Sequence, residues 1–276
     1  MKKRSLLQRL IGAPYVLWAA IFIVVPLFIV AYYTFTDADG GLTLENLKSL
    51  TEAEYRKSFR LSILYSLAAT VISLVIAYPF AYVMSRKRER TQKIMMVLVM
   101  LPLWMSLLIL TYSWMNILER NGLVNNLLTS LGVKRLNLIG TPGAVIFGMV
   151  YNYIPYMILP IYSVMSKIDP SVLEAAEDLG SGGVSKLYRI ILPLSMPGVV
   201  SGITMVFVPS VSTFYISQKL GDGKILLIGD MIERQIQAQN NYNVGAALSL
   251  VLMVLIVLSM ALMKLFAGET DDNLYV

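Results

Sequence analysis

Neither cysteine nor histidine occurs in this chain of 276 residues. Without cysteine the protein has no disulfide framework and no thiol chemistry. Without histidine it lacks the side chain that usually carries protons near neutral pH. Any function must therefore be built from other side chains and from the backbone.

Charged residues are scarce as well: they make up 14% of the chain, whereas hydrophobic residues make up 57%. A soluble domain of this size could not bury that much apolar surface, so the sequence predicts a membrane protein. The length suits six spans of about 20 residues each. The net charge is +6, but the basic residues lie beside apolar runs, which favours the lipid bilayer over nucleic acid as their partner.

Six apolar stretches are predicted as membrane-spanning helices. They cover residues 14–35, 59–85, 94–118, 141–166, 197–218 and 244–266. The first stretch follows a basic N-terminus, as a secretory signal does, but it is too long for a signal and no small-residue cleavage site follows it. It is therefore predicted to be a span.

Orientation follows from the distribution of lysine and arginine. Residues 86–93 form a short turn between two spans that holds five of these basic side chains. The positive-inside rule places this turn in the cytoplasm, and both termini with it. The outer loops are then residues 36–58, 119–140 and 219–243.

The predicted spans contain no aspartate, glutamate, lysine or arginine except Arg60 and Lys264, near their ends. A proton-coupled carrier usually keeps such a group in its path, and an intramembrane enzyme needs a catalytic base at depth. Proton-coupled carriers and intramembrane enzymes are therefore disfavoured. A sodium-coupled carrier is excluded less strongly, because backbone groups that lose their helical hydrogen bonds at a broken helix can bind sodium. The segment Gly221-Asp222-Gly223-Lys224 is not a phosphate-binding loop, because Ile225 stands where serine or threonine should bind magnesium.

Proline and small residues mark how the spans are built. Five of the six spans contain proline, which kinks a helix and is typical of a bundle of broken helices around a path. Gly198 and Gly202, and likewise Ala144 and Gly148, lie four residues apart, a spacing that lets helix backbones approach closely. We predict that these four residues pack helices together.

A polar insert interrupts the apolar sequence between the fourth and fifth spans. Asp169 or Ser171 can cap a short helix that runs to Leu179, and Ser171 has capping-box spacing to Glu174. Gly180 is predicted to end this helix, and a second short helix over residues 184–191 is predicted to stop before proline. A slim, capped helix suits a groove on a partner protein, although an interfacial helix lying on the membrane has the same local features.

The insert resembles the signature cytoplasmic loop of permease subunits of ABC importers. That signature consists of Glu-Ala-Ala, three residues, a glycine, nine residues and then Ile-x-Leu-Pro. This sequence matches the signature without a gap. The matching residues are Glu174, Ala175, Ala176, Gly180, Ile190, Leu192 and Pro193. The resemblance implies an all-α, type I ABC importer permease-like bundle of six transmembrane helices. It also implies that this loop sits in a cleft of a separate ATP-binding subunit. The Ser-Gly-Gly at residues 181–183 departs from the Ala-Ser that is common there.

Further segments resemble the permeases of spermidine/putrescine importers, the PotB type. They are residues 141–146, 156–163, 192–198 and 226–230. The resemblance implies a transport subunit of the bacterial inner membrane, not an enzyme, with no cofactor or metal of its own. The implied partners are two copies of an ATP-binding subunit, a second related permease and an external polyamine-binding protein.

Aromatic and amide side chains in the spans suit a polyamine, because ammonium groups are attracted to aromatic faces. Tyr153 and Tyr156, in mid-span around Pro155, are the better candidates for the cargo path. Asn152, Tyr112, Asn116 and Tyr215 complete the candidate set. Any one of the tyrosines near a span end can instead be a membrane-interface anchor.

The predicted domain organisation has three parts. Residues 1–58 form the first span and its outer loop, residues 59–266 form a five-helix core that includes the coupling loop 167–197, and residues 267–276 form a short cytoplasmic tail. Two alternatives remain open from the sequence: the same architecture with another cargo, and a stand-alone sodium-coupled carrier.

Overall fold

The computed structural model describes residues 14–37 and 39–272, with side chains described as far as residue 264. The basic N-terminal residues and the last four residues of the predicted tail lie outside the described residues. Within these ranges the chain is helical, apart from turns and one isolated antiparallel bridge between Thr36 and Leu42. The predicted all-α class is confirmed.

Twelve helices follow one another in the described part of the chain. They are α1 (Pro14–Phe35), α2 (Glu45–Ser49), α3 (Ala53–Ser85), α4 (Glu89–Trp104), α5 (Leu107–Leu118), α6 (Leu123–Ser130), α7 (Pro142–Met165), α8 (Pro170–Asp178), α9 (Gly183–Ser212), α10 (Tyr215–Leu220), α11 (Ile228–Glu233) and α12 (Tyr242–Asp272). Three contain or adjoin a π-turn: Ala20–Val24 in α1, Leu187–Ile191 in α9 and Arg234–Ala238 after α11.

Five of these helices, α1, α3, α7, α9 and α12, are long and apolar enough to cross a membrane. The remaining predicted span, the third in the chain, is not one straight helix. It is the pair α4 and α5, which continues into α6 and bends by 92° at its break. Pro102 lies two residues before the end of α4, and Met105 and Ser106 are extended; Met105 N donates to Pro102 O at 3.2 Å, so the last turn of α4 is tightened before the break. The predicted continuous span 94–118 is therefore wrong in its middle.

The fifth span also differs from its prediction at both ends. The predicted short helix over residues 184–191 does not stop before Pro193 but runs into the span as one helix, α9. In the π-turn before Pro193, the N–H of Leu192 donates to Leu187 O, five residues back, and this wider turn carries the chain past the proline. At the other end, α9 stops at Ser212, Thr213 is extended and α10 begins at Tyr215.

The chain divides into two compact units. The larger comprises Lys57–Asp230 and the chain from Leu255, and its core lies where α3, α7 and α9 pack. Ala77, Ala81, Met157 and Ile161 are fully buried in this core. A second buried cluster holds residues of α7 and α10, with Ile225 and Leu227 from the segment that follows α10.

Glycines set the distance between α7 and its neighbours. A Cβ on Gly198 would lie 2.8 Å from Pro160 O, and one on Gly202 would lie 3.2 Å from Met157 O. A Cβ on Gly148 would meet Leu220 Cδ1 of α10 at 2.4 Å. The predicted packing role of these glycines is confirmed.

The smaller unit comprises the chain up to Arg56 and Met231–Val254. Amide side chains hold it together. Asn46 Nδ2 donates to Thr34 O and Thr36 O at 3.0 and 2.8 Å, which closes the end of α1 against α2. Gln235 Nε2 donates to Tyr55 Oη at 2.8 Å.

Candidate functional site

The helix of the polar insert, α8, begins at an aspartate cap. Asp169 Oδ1 accepts a hydrogen bond from Ser171 N at 2.9 Å, and Pro170 occupies the first turn. That backbone hydrogen bond lowers the pKa of the Asp169 carboxyl, because it stabilises the charged form. Asp169 is therefore the cap, and the capping box expected between Ser171 and Glu174 is not formed.

Gly180 ends α8. Its φ is +78°, a left-handed conformation that glycine adopts without the strain of a side chain. Gly180 N donates to Glu177 O at 2.8 Å and Ser181 N donates to Ala176 O at 2.9 Å, the pair of bonds that defines a Schellman motif. No atom lies within 4 Å of a Cβ built on Gly180, so the backbone turn alone requires glycine here.

The insert has a buried face and an exposed one. Ala176 is buried, and Leu173 and Leu187 pack against the core of the larger unit. An ion pair between Glu177 and Lys186 joins α8 to the first turn of α9. The insert is therefore anchored on its inner side.

The exposed face carries large apolar side chains that sequence reasoning did not single out. Leu179 is 87% exposed, Val184 is 72% exposed, and Val172 and Tyr188 are also exposed. The signal that could have found them is the presence of apolar residues within an otherwise polar insert. We call these four residues the apolar face of the insert.

The seven signature residues do not all lie on one element. Glu174, Ala175 and Ala176 belong to α8 and Gly180 to the turn that follows it, whereas the last three lie in the continuous helix α9. Glu174, Ala175, Gly180 and Pro193 are exposed, Ala176 is buried, and Ile190 and Leu192 are half-buried. The signature thus spans a short helix, a turn and the start of a membrane span.

Three of the predicted path residues come together at the bend between α4 and α5. Asn152, Tyr153 and Tyr156 line a cavity of about 210 Å³. Its other lining residues are Pro102, Leu103, Met105, Leu107 and Leu110. Asn152 Nδ2 donates to Gly148 O at 2.8 Å, which leaves the amide oxygen and the second N–H of Asn152 for other partners.

The other predicted path residues form a different group. The rings of Tyr112 on α5 and Tyr215 on α10 meet edge to face with centroids 6.2 Å apart. Asn116 is exposed one turn after Tyr112, on the same side of α5. Lys219 Nζ lies 5.2 Å from the Tyr112 ring centroid and 5.8 Å from that of Tyr215. Sequence reasoning did not identify Lys219 as a member of this group.

Comparisons with known proteins agree with this architecture. The family model described as "Binding-protein-dependent transport system inner membrane component" matches residues 72–270. The chain is 36% identical over 249 residues to the spermidine/putrescine transport system permease protein PotB of Haemophilus influenzae, covering 87% of each chain. It is 34% identical to PotB of Escherichia coli K12, covering 86% of this chain and 89% of that one.

Two further relatives extend the comparison. The inner membrane ABC transporter permease protein YdcU of Escherichia coli K12 is 31% identical over 252 residues, which is 84% of this chain and 80% of that one. A solved bacterial ABC transporter involved in import of the acidic polysaccharide alginate has a chain that superposes with a TM-score of 0.81, at 15% identity and 95% coverage of each chain. A second solved structure, the alginate transporter in complex with its alginate-bound periplasmic protein, gives a TM-score of 0.80 at 15% identity, covering 97% of this chain and 94% of that one. At this identity the likeness shows the fold alone.

Proposed function

This chain belongs to the family of inner membrane components of binding-protein-dependent transport systems, and we propose that it is the polyamine-conducting permease of an ATP-driven importer. It is a multi-pass inner membrane protein and a transport subunit. The observation that carries the choice of cargo is its 34–36% identity, over most of its length, to permeases named for spermidine and putrescine transport.

The proposed transporter contains four further chains. They are two copies of an ATP-binding subunit, a second related permease and an external polyamine-binding protein. A solved transporter of the same fold is in complex with a periplasmic protein, which supports the last of these partners by analogy. In this assembly both termini of the chain lie in the cytoplasm, on the side of the basic turn at residues 86–93. The division of the chain at residues 58 and 266 stays a prediction.

The insert is the proposed contact with the ATP-binding subunit, through Glu174, Ala175, Ala176, Gly180, Ile190, Leu192 and Pro193. The exposed apolar face of the insert can be buried in a groove of the ATP-binding subunit. The inner side of the insert packs against the core of the larger unit. The Glu177–Lys186 pair ties α8 to α9, so a push on α8 is carried into the span. The three signature residues of α9, Ile190, Leu192 and Pro193, lie near the start of that helix, next to the insert.

Continuity of α9 supports the proposed transmission of movement. Gly183–Ser212 has 30 residues, which corresponds to roughly 45 Å of helix at 1.5 Å per residue. Gly198 and Gly202 bring α9 into close contact with α7, which carries Asn152, Tyr153 and Tyr156. Displacement of the insert would therefore move the two helices together and alter the cavity that these three residues line.

Chemistry at the bend supports a cationic cargo. The cavity offers an amide oxygen from Asn152 and the rings of Tyr153 and Tyr156. Ammonium groups are attracted to both features. We therefore propose this cavity as part of the polyamine path, with Tyr112, Asn116 and Tyr215 farther along α5 and α10.

The test is reconstitution of the chain with the products of adjacent genes in lipid nanodiscs. We expect the ATPase rate to rise when the binding protein carries spermidine or putrescine, and not when an amino acid, sulfate or a ferric ligand is offered. In proteoliposomes, where uptake can be measured, Tyr153→Ala and Tyr156→Ala should reduce uptake more than they reduce assembly. Tyr32→Ala, an exposed tyrosine of α1, is the matched control.

Two outcomes would replace this proposal. Stimulation by an anion and by neither polyamine would keep the importer but remove the polyamine cargo. Sodium-dependent uptake by the lone chain in liposomes would instead identify a stand-alone carrier.

A further inference from the structure

Lys219 already places an ammonium group on two aromatic rings of the permease. Its Nζ lies within 6 Å of the ring centroids of both Tyr112 and Tyr215, the distance at which cation–π attraction acts. The two rings also contact each other edge to face, with centroids 6.2 Å apart. The structure thus contains a filled ammonium site, built from α5 and α10.

Packing holds this site in position. Lys219 follows Tyr215 by four residues, so the two lie on the same side of α10. On the adjacent face of α10, Ile216 and Leu220 are buried against α7 at Gly148. The helix cannot roll without losing those contacts, so Lys219 is directed at the rings by the fold.

Electrostatic pairing does not account for this position. The ion pairs of the described residues do not include Lys219, whereas the nearby Lys224 is paired with Asp222 at 3.0 Å. The described contacts that hold the Lys219 ammonium are therefore those with the two tyrosines. A cation held by aromatic rings is exchangeable for another cation of the same shape.

The chemical match with the proposed cargo is close. Lysine ends in a primary ammonium on a four-methylene stem, and a polyamine ends in the same group on a similar stem. A site that accepts the lysine ammonium therefore has the size and the charge preference to accept the terminal ammonium of a polyamine. The site also lies close to the cavity along the chain, since Leu110, which lines the cavity, lies two residues before Tyr112 on α5.

We infer that Tyr112 and Tyr215 form a binding site for a primary ammonium group of the cargo, and that Lys219 is its tethered occupant, which the cargo must displace. The inference rests on the proposed polyamine function for the identity of the cargo. A tethered group competes at high effective concentration, so free polyamine binds the resting permease weakly. Lys219 thereby keeps the path closed to ammonium groups that are not delivered.

The first experiment measures binding of radiolabelled spermidine to the complete transporter in nanodiscs, without the binding protein. Lys219→Met removes the ammonium and keeps the stem, and should tighten binding by roughly three- to tenfold, the range that an ordinary cation–π contact supplies. Lys219→Arg should bind as weakly as the unaltered protein. Lys224→Met makes the same change of charge five residues later, in the turn after α10, and should leave the affinity unchanged.

Substitutions of the Tyr112 ring distinguish a binding site for ammonium from mere removal of the charge repulsion by Lys219. In the Lys219→Met background, Tyr112→Leu should abolish the gain in affinity, whereas Tyr112→Phe should keep most of it, because the ring remains. Equal gains from Lys219→Met and Lys224→Met, or a gain that survives Tyr112→Leu, would overturn the inference.

Absence of cysteine from the chain allows chemical rescue of the same position. Lys219→Cys should bind spermidine tightly, as the methionine variant does. Alkylation with 2-bromoethylamine rebuilds a lysine-like ammonium and should restore weak binding, whereas alkylation with iodoacetamide adds a neutral group and should not. Indistinguishable results from the two reagents would overturn the inference even if the tyrosine variants fail to fold.

A simple probe separates this inference from the proposed function. Saturation-transfer NMR with n-butylammonium should detect binding to the Lys219→Met transporter and not to its Tyr112→Leu derivative. Ring-dependent binding of this probe without polyamine-stimulated ATPase would keep the ammonium site and remove the polyamine cargo. Polyamine-stimulated ATPase without ring-dependent binding would keep the cargo and remove the site.

Discussion

Tyr162 Oη donates a hydrogen bond of 2.8 Å to Gln92 Oε1, across 70 residues of sequence. The same glutamine donates through Nε2 to Ser85 O and Lys87 O at 3.1 and 2.9 Å. One side chain therefore closes the basic turn between α3 and α4 and ties that turn to α7. Since α7 leads into the insert through Ser166, this contact links the turn to the proposed coupling region.

Tyr162→Phe leaves Gln92 Oε1 without its donor in a partly buried site, and we expect it to cost about 1 kcal/mol. The melting temperature of the detergent-solubilised chain should fall by roughly 2–4 °C. Tyr188→Phe removes a hydroxyl from an exposed tyrosine and should leave the melting temperature unchanged. Equal melting temperatures for the two variants would show that the bond to Gln92 adds nothing to stability.

Gly180→Val places a β-branched residue at φ +78° and should strain the turn after α8 by roughly 1–2 kcal/mol. Uptake per ATP hydrolysed should fall several-fold in the reconstituted transporter, while the chain still inserts into the membrane. Gly182→Val is the matched control, because Gly182 also has no atom within 4 Å of a built Cβ but has φ −66°. Normal coupling in Gly180→Val would argue against the docking role of α8.

Gly198→Ala should destabilise the chain by roughly 1–3 kcal/mol, because the added methyl would lie 2.8 Å from the backbone oxygen of Pro160 and force α7 and α9 apart. Thermal denaturation in detergent measures the loss. Gly143→Ala makes the same substitution where the nearest atom to the new Cβ is 3.9 Å away, and should be near neutral. Similar losses for both variants would contradict close packing at Gly198 as the cause.

Single cysteines test the orientation, since the chain has none of its own. Val184→Cys, on the apolar face of the insert, should react with an impermeant maleimide only in inside-out vesicles. Leu131→Cys, which is 79% exposed after α6, should react in intact cells. The reverse pattern would place the basic turn and both termini outside the cytoplasm.

Local sequence rules were enough to predict much of the fold. A basic turn between apolar runs, an aspartate before Pro170 and a glycine after Leu179 each act within a few residues. The aspartate cap and the glycine turn of α8 depend on such short-range chemistry, so both are found where the sequence predicts them. The signature from Glu174 to Pro193 is equally local, which is why the family was recognisable without a structure.

Tertiary structure alone decided how the helices break and which residues meet. Pro102 and Pro193 are both prolines in apolar stretches, yet the chain bends by 92° after the first and runs straight into a span through the second. The difference lies in the surrounding hydrogen bonds, because a π-turn carries the chain past Pro193 and extended residues follow Pro102. Periodicity does not encode that choice.

The same limit applies to the candidate site. The sequence determined that tyrosines and an asparagine lie in the spans, but not that Asn152 and Tyr153 would share a cavity with the bend after Pro102. It also did not determine that Lys219 would lie on Tyr112, 107 residues earlier in the chain, because such a contact depends on how α10 packs against α5 and α7. Local preferences set where helices begin and end, whereas shape complementarity between distant helices sets what they bring together.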